Sequence, residues 1–328
     1  MDAVSLLEKL VSIESPSGKE DEIAEFISSY LKKIGMRVSK ENNNIILNAD
    51  ADFWIITHMD TVPMKAKFRY DGMFAYGTGV CDAKGSITAV LLALEKLKET
   101  EFGVAFLNDE EETGSSSAYF AKEHRGSAIV MEPTSLKIAT RHYGTLEVNV
   151  KVKGKPAHGA MPECGENAIE KAIEMLEKLK ELHNFTILRI NGGSDEYVIP
   201  DICDVRIDFL LKPDENPHNL KKKVIDLASI YGDVDVIEEA EGFISSEGKA
   251  KSVLEYAMKT VGIEVDYAEM PAWTDAVNLR KEGWDVVVWG PGELAHCHTR
   301  IERVPIYEIE YASRVIIAIN DVLSSLNF

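Results

Sequence analysis

Four apolar runs in this 328-residue chain end in residues that bind metals or move protons. Phe53-Trp-Ile-Ile-Thr57 leads into His58-Met-Asp60, Val104–Leu107 into Asn108-Asp-Glu-Glu-Glu112, and Ala128–Met131 into Glu132-Pro133-Thr134. Late in the chain Val286–Trp289 leads into Gly290-Pro-Gly292 and then His296-Cys-His298. A buried strand is normally followed by a turn, not by several carboxylates. If these runs are parallel strands of one sheet, their carboxyl ends share one edge, where open α/β sheets place their ligands. Carboxylates gathered there cannot all stay ionised without a compensating positive charge, and divalent metal ions supply it.

Each element also has a plainer reading. His58 alone would be a satisfied core histidine, but His58-x-Asp60 is the spacing of a ligand histidine whose second ring nitrogen is fixed by a carboxylate. Asp109–Glu112 would ordinarily be a solvated acidic turn. Following an apolar strand and leading into Thr113-Gly114-Ser115, it reads instead as a strand-to-helix turn facing a site. Gly77-Thr-Gly79-Val-Cys-Asp82-Ala-Lys-Gly85 lacks the GxGxxG order of a nucleotide loop. Its glycines are expected to bend the backbone so that Asp82 points inward.

The elements that must position these residues alternate strand and helix. An amphipathic pattern opens the chain, and Ser17-Gly-Lys-Glu20 reads as a capping box for a helix to about Ile34. Strands are expected at Ile45–Leu47 and at the first three runs above, with helices at Ser86–Leu97 and Ser115–Lys122 between them. This order implies an α/β sheet, largely parallel, covered on both faces. From Tyr143 the texture becomes β-α-β-β-α-β. Its elements are Leu146–Lys153, Glu166–Leu182, Phe185–Ile190, Ile202–Leu211, a helix from His218 to about Tyr231, and Val234–Glu238. After Gly242 the α/β texture returns, with helices at Lys249–Val261, Asp275–Lys281 and Ile306–Leu323 and a strand at Asp285–Trp289. Residues 1–141 and 248–328 thus read as one domain, interrupted by an inserted domain at 142–247.

Bulk properties narrow the function. Lys+Arg number 36 against 55 Asp+Glu, a formal charge of -19 that argues against nucleic-acid or anionic-membrane binding. Cys81, Cys164, Cys203 and Cys297 show no CxxC spacing, so neither a structural zinc knot nor a disulfide framework is expected. The acidic N-terminal pattern is not a signal peptide, and no apolar run approaches a bilayer span. A cytoplasmic location is the expectation.

Taken together, His58-Met-Asp-Thr-Val-Pro63, Gly79-Val-Cys-Asp82-Ala-Lys-Gly85, Glu111-Glu-Thr-Gly-Ser115, Glu132-Pro133 and Gly290-Pro-Gly292…His298-Thr-Arg-Ile-Glu302 resemble, in order, the motifs of the M20 family of metallopeptidases and deacylases. Val152-Lys-Gly-Lys-Pro-Ala-His158-Gly159 resembles the start of that family's dimerisation domain. The resemblance covers nearly the whole chain. It implies a zinc-peptidase-like catalytic domain interrupted by a ferredoxin-like α+β dimerisation (lid) domain, in a homodimer. It also implies two divalent ions, zinc with cobalt as an alternative: one on His58, Asp82 and Glu132, the other on Asp82, Glu112 and His298, with Asp82 bridging. Glu111 would be the general base, Asp60 would orient His58, and His158 would stabilise the oxyanion in the partner subunit's site. A cis Asp82–Ala83 peptide is expected on the same ground. His296 competes with His298 for the last ligand position; the resemblance favours His298, whose spacing from Gly292 and following Glu302 are as in the family. His124, His183 and His218 read as surface histidines, His142 lies near the hinge, and Asp275 either lines the site or caps a helix.

The implied reaction is hydrolysis of an amide in an N-acyl amino acid, or in an amino acid linked to a carrier protein, as in the deacylases of lysine and arginine biosynthesis. A di- or tripeptidase using the same two-metal site is the alternative, and a non-catalytic metal-binding scaffold the remote one. Two positions depart from the family pattern. Tyr197 stands where an Asn is usual, and Leu210 where an Arg would read a substrate carboxylate. Arg206 and Arg141 are the nearest candidates to replace that Arg.

Overall fold

The computed structural model describes residues 1–63, 65–245 and 247–326. The chain divides into two compact units, one of Met1–Thr140, Ser245–Met270 and the segment from Thr274 onward, the other of Arg141–Ile244 with Pro271–Trp273.

In the first unit, strand Phe53–His58 lies at the centre of a mixed sheet, parallel to Gly103–Leu107 on one side and to Ser127–Val130 on the other. Asp285–Val288 continues the parallel set beside Ser127–Val130. Antiparallel strands flank it: Val38–Glu41 and Asn44–Leu47 beyond Gly103–Leu107, and Ile138–His142 beside Asp285–Val288. Strand side chains alternate faces, and here both faces are covered. Phe53, Ile55, Val104, Phe106, Ile129 and Val287 pack with helices Ala3–Ser12, Asp21–Lys33, Lys84–Lys96, Lys249–Thr260 and Ile306–Leu326 in one core. From the opposite face Trp54 meets Phe120 edge-on at 5.0 Å and Trp284 at 6.4 Å, on the side of helices Ser115–Glu123 and Ala276–Lys281. Because the four central strands run parallel, His58, Leu107, Val130 and Val288 end at one edge, and the polar residues that follow them gather there.

The capping box is not formed. Helix Asp21–Lys33 begins without a side-chain cap. The Ser17 hydroxyl donates instead to Asp60 Oδ2 at 2.7 Å, and Glu20 Oε1 accepts the N–H groups of Gly18 and Asp109. Tertiary partners at the sheet edge took the groups that a local cap would have used.

The second unit is an antiparallel sheet in the order Thr186–Gly192, Ile202–Leu211, Gly144–Lys153, Gly232–Ala240. Leu146, Val148, Val150 and Val152 alternate onto one face, packed by helices Ala168–Lys180 and Pro217–Ala228. The edge strand Thr186–Gly192 is exposed along its whole length, with Ile187, Leu188 and Ile190 in solvent.

Candidate metal centre

Asp82 reaches the sheet edge through a loop that needs two unusual features. Gly79 has φ +73°, and a Cβ there would stand 2.5 Å from Thr61 Cγ2, so only glycine fits the bend. The Asp82–Ala83 peptide is cis, as expected. The buried carboxylate of Glu302 ties the loop down by accepting the N–H groups of Gly79 at 3.0 Å, Cys81 at 2.9 Å and Asp82 at 3.1 Å. Burial pushes the Glu302 carboxyl up to about 7 against the pull of those three donors.

Asp82 turns one oxygen toward each of two histidines. Its Oδ1 lies 2.9 Å from His58 Nε2, and its Oδ2 lies 3.4 Å from His298 Nε2. His58 Nε2 also faces Glu132 Oε2 at 3.9 Å, and His298 Nε2 stands 3.0 Å from Glu111. Among the described residues three groups of donor atoms converge: His58–Asp82–Glu132 and Asp82–Glu111–His298, which share Asp82, and His58–Glu110–Glu111. His58 Nδ1 lies 3.0 Å from the Asp60 carbonyl and 3.4 Å from Asp60 Oδ1. A proton on Nδ1, shared with Asp60, leaves Nε2 free as the ligating atom. Gly290 lies flat against Glu132, where a Cβ would approach the Glu132 carbonyl to 2.7 Å.

One correction concerns the acidic turn. Glu112, read from the sequence as a ligand, is exposed and belongs to none of these groups, and its neighbour Glu111 takes the place beside Asp82 and His298. Asp60 sets this register. Its Oδ1 accepts Glu110 N at 3.1 Å and its Oδ2 accepts Glu111 N at 2.9 Å, after the chain turns through Asp109 at φ 61°. Pinned by these amides, Glu110 and Glu111 face inward and Glu112 faces out. Glu110, not read from the sequence as functional, lies within reach of His58 and Glu111. Three consecutive glutamates are indistinguishable by type; counting forward from Leu107, the end of the strand, singles out the inward pair.

The electrostatics are those of a cation site. Burial, with Asp82, Asp275 and Glu111 nearby, holds the Glu132 carboxyl well above its usual range, against the opposing pull of His58. Burial does the same to Glu110, reinforced by Glu132, Glu111 and Asp275. For His58, burial alone would lower the pKa, but Glu110 and Glu132 overcome it and hold the imidazole well above its ordinary value. Contacts with Asp82 and Glu111 raise His298 to about 10. Glu132 Oε1 is buried with no hydrogen-bond partner. Clustered carboxylates, two imidazoles and an orphaned oxygen fit divalent metal ions with nitrogen and oxygen ligands.

Other residues fall outside these groups. His296 meets Arg303 at 3.1 Å and Glu293 at 3.3 Å, so it is a neighbour of the His298 turn. Asp275 is fully buried, its pKa raised to about 7 by burial against the pull of Ser117, so it lines the acidic interior and makes no side-chain cap. His158, in the second unit, is exposed with its ring edge-on to Tyr197 at 5.4 Å. In that unit Arg206 is bound by Glu147, and Arg141 lies 3.7 Å from Asp214, so both candidate replacements for the family arginine have carboxylate neighbours. Leu210 lines a cavity of about 410 Å³ with Tyr143, Phe185, Asp208 and Lys212. All four cysteines are free, and among the described residues no helix is long and apolar enough to cross a membrane.

A parallel sheet whose edge gathers histidine-carboxylate groups around a shared aspartate is a candidate centre for two divalent ions. Residues 140–233 match the peptidase dimerisation domain. A LysW-lysine/LysW-ornithine hydrolase of Sulfurisphaera tokodaii is 26% identical, the alignment covering 93% of this chain and 90% of that protein. A succinyl-diaminopimelate desuccinylase of Corynebacterium glutamicum is 25% identical over 94% of this chain and 93% of its own length. The structure of a Staphylococcus aureus tripeptidase superposes with a TM-score of 0.81, covering 98% of each chain at 19% identity, which supports the fold. These likenesses support an M20 family metallopeptidase or deacylase, a metal-dependent amidohydrolase.

Proposed function

We propose that this enzyme hydrolyses the amide that blocks an amino group of an amino acid, either as a small N-acyl derivative or on a carrier protein, in amino-acid biosynthesis. The observation that carries this reading is the sharing of Asp82 between the two donor groups. His58, Asp82 and Glu132 would hold one ion, and Asp82, Glu111 and His298 the other, with zinc favoured by the donor set and cobalt an alternative. When bound, such a pair polarises the scissile carbonyl and acidifies the attacking water.

The chain's own groups do the rest. Glu111 is read from the sequence as the general base, but it stands beside both Asp82 and His298. Its neighbour Glu110, which lies with His58 and Glu111, is proposed in its place to take the proton from the attacking water and return it to the departing amine. Asp60 fixes both the ring of His58 and the turn that carries Glu110 and Glu111. His158 of the partner subunit donates to the oxyanion. The dimer would form along the exposed apolar edge Thr186–Gly192, since such an edge is a template for pairing with another chain. The two relatives named above are a LysW-lysine/LysW-ornithine hydrolase and a succinyl-diaminopimelate desuccinylase, which supports the deacylase reading.

The test is turnover by the zinc- and cobalt-loaded protein on N-acetyl, N-succinyl and γ-glutamyl amino acids and on a panel of dipeptides and tripeptides. Cleavage of an acyl or γ-glutamyl amino acid is expected. Cleavage of peptides alone would establish the peptidase alternative, and a fully loaded protein inert on all of them would overturn the reading.

A further inference from the structure

Two cysteines that the metal site does not use lie on the two segments that carry its ligands. Cys81 immediately precedes Asp82, and Cys297 immediately precedes His298. Both are buried, Cys297 retaining 8% exposure. Their Sγ atoms converge on one acceptor, the Glu293 carbonyl, at 3.7 Å from Cys81 and 3.6 Å from Cys297. They are also hydrogen-bonding neighbours of each other. The backbone makes room for this contact, since a Cβ on Gly292 would stand 2.3 Å from Cys81 Sγ. Neither thiol belongs to a metal-ligating group.

We propose that Cys81 and Cys297 are an oxidative modification site, closing to a disulfide under a small peroxide and thereby loosening the metal centre. Hydrogen peroxide first oxidises one thiol, with Cys297 the more accessible, to a sulfenic acid and releases one water. The sulfur of the second cysteine then attacks the sulfenic sulfur, the S–O bond breaks, and a second water leaves with the thiol proton. The two sulfurs lose the two electrons that reduce the peroxide, and no other co-reactant is needed.

The bond would draw the sulfurs from hydrogen-bonding contact to covalent distance. It would shift the Asp82 loop and the His298 turn toward each other. Ligand constellations tolerate displacements of only about 0.5 Å before affinity suffers, so metal retention should fall.

The experiment treats the reduced, zinc-loaded protein with hydrogen peroxide in a Cys164→Ser background, which removes the one exposed thiol. Non-reducing peptide mapping should find the peptide of Cys81 joined to that of Cys297. Bound zinc per chain should fall as this species accumulates, and dithiothreitol followed by zinc should restore it. Cys297→Ser and Cys81→Ser should each remove the linked peptide and the peroxide-dependent zinc loss. Oxidation of the folded protein without the linked peptide, or a linked species that keeps its full zinc, would overturn the proposal. Neither readout depends on knowing the substrate.

Discussion

The carboxylate of Asp60 accepts the backbone N–H of Glu111 at 2.9 Å, in the turn that brings this one of three consecutive glutamates beside Asp82 and His298. Glu111→Gln should therefore lower zinc stoichiometry from two ions toward one, while Glu112→Gln leaves it at two. Equilibrium dialysis with metal analysis of both variants checks this. Loss of an ion in the Glu112 variant alone would restore the ligand assignment read from the sequence.

Glu110 stands next to Glu111, in reach of His58 but outside the group formed with Asp82 and His298. If it moves the proton, Glu110→Gln should keep both ions and lose turnover by about 10²–10⁴-fold, the usual contribution of a positioned acid–base group. The comparison is kcat at matched metal occupancy. Near wild-type turnover in the loaded variant would remove Glu110 from the mechanism.

These two residues also show what the sequence could and could not convey. The convergence of His58, Asp82, Glu132 and His298 was legible: the first three each stand alone of their type after an apolar run or a glycine bend, while His298 had to be chosen over His296. The spacing of apolar runs likewise set out the parallel sheet and the inserted β-α-β-β-α-β unit. The choice among Glu110, Glu111 and Glu112 was not legible, since it depends on amides held by Asp60, fifty residues upstream of Glu110. Ser17 and Glu20 fitted a local capping pattern, yet the sheet edge claimed both. Their hydrogen-bonding capacity was plain in the sequence, but the partner was not.

Glu302 touches neither histidine, yet it accepts three backbone donors from the loop that ends in Asp82. In Glu302→Gln an amide NH₂ must face either Gly79 N–H or the N–H pair of Cys81 and Asp82, so at least one donor loses its acceptor. Partners that orient ligands typically contribute 10–100-fold to metal affinity, and a weakening of about that size is expected here. Competition for zinc with a chromophoric chelator measures it. An unchanged affinity would mean that the loop holds Asp82 in place without Glu302.

His142 gives the second unit a pH dependence of known sign. The ring is 1% exposed and stacks on Phe243 at 4.8 Å with the planes 8° apart. Burial lowers its pKa from 6.5 to about 4, against the small opposing effect of the Tyr143 carbonyl. The unfolded chain therefore takes up a proton on His142 near pH 6.5, which the folded chain refuses until about pH 4. Stability from the neutral ring is complete above pH 6.5 and is lost as pH falls toward 4, by about 3 kcal/mol in all. Other groups titrate in the same range, so the quantity to measure is the difference between wild type and His142→Phe, which keeps an aromatic ring against Phe243 but cannot take up a proton. Urea unfolding at intervals from pH 7.5 to 4.5 should show the wild type losing stability relative to the variant through this window. A difference that stays constant with pH would mean that the ring gains a proton in place, with solvent reaching it beside Phe243.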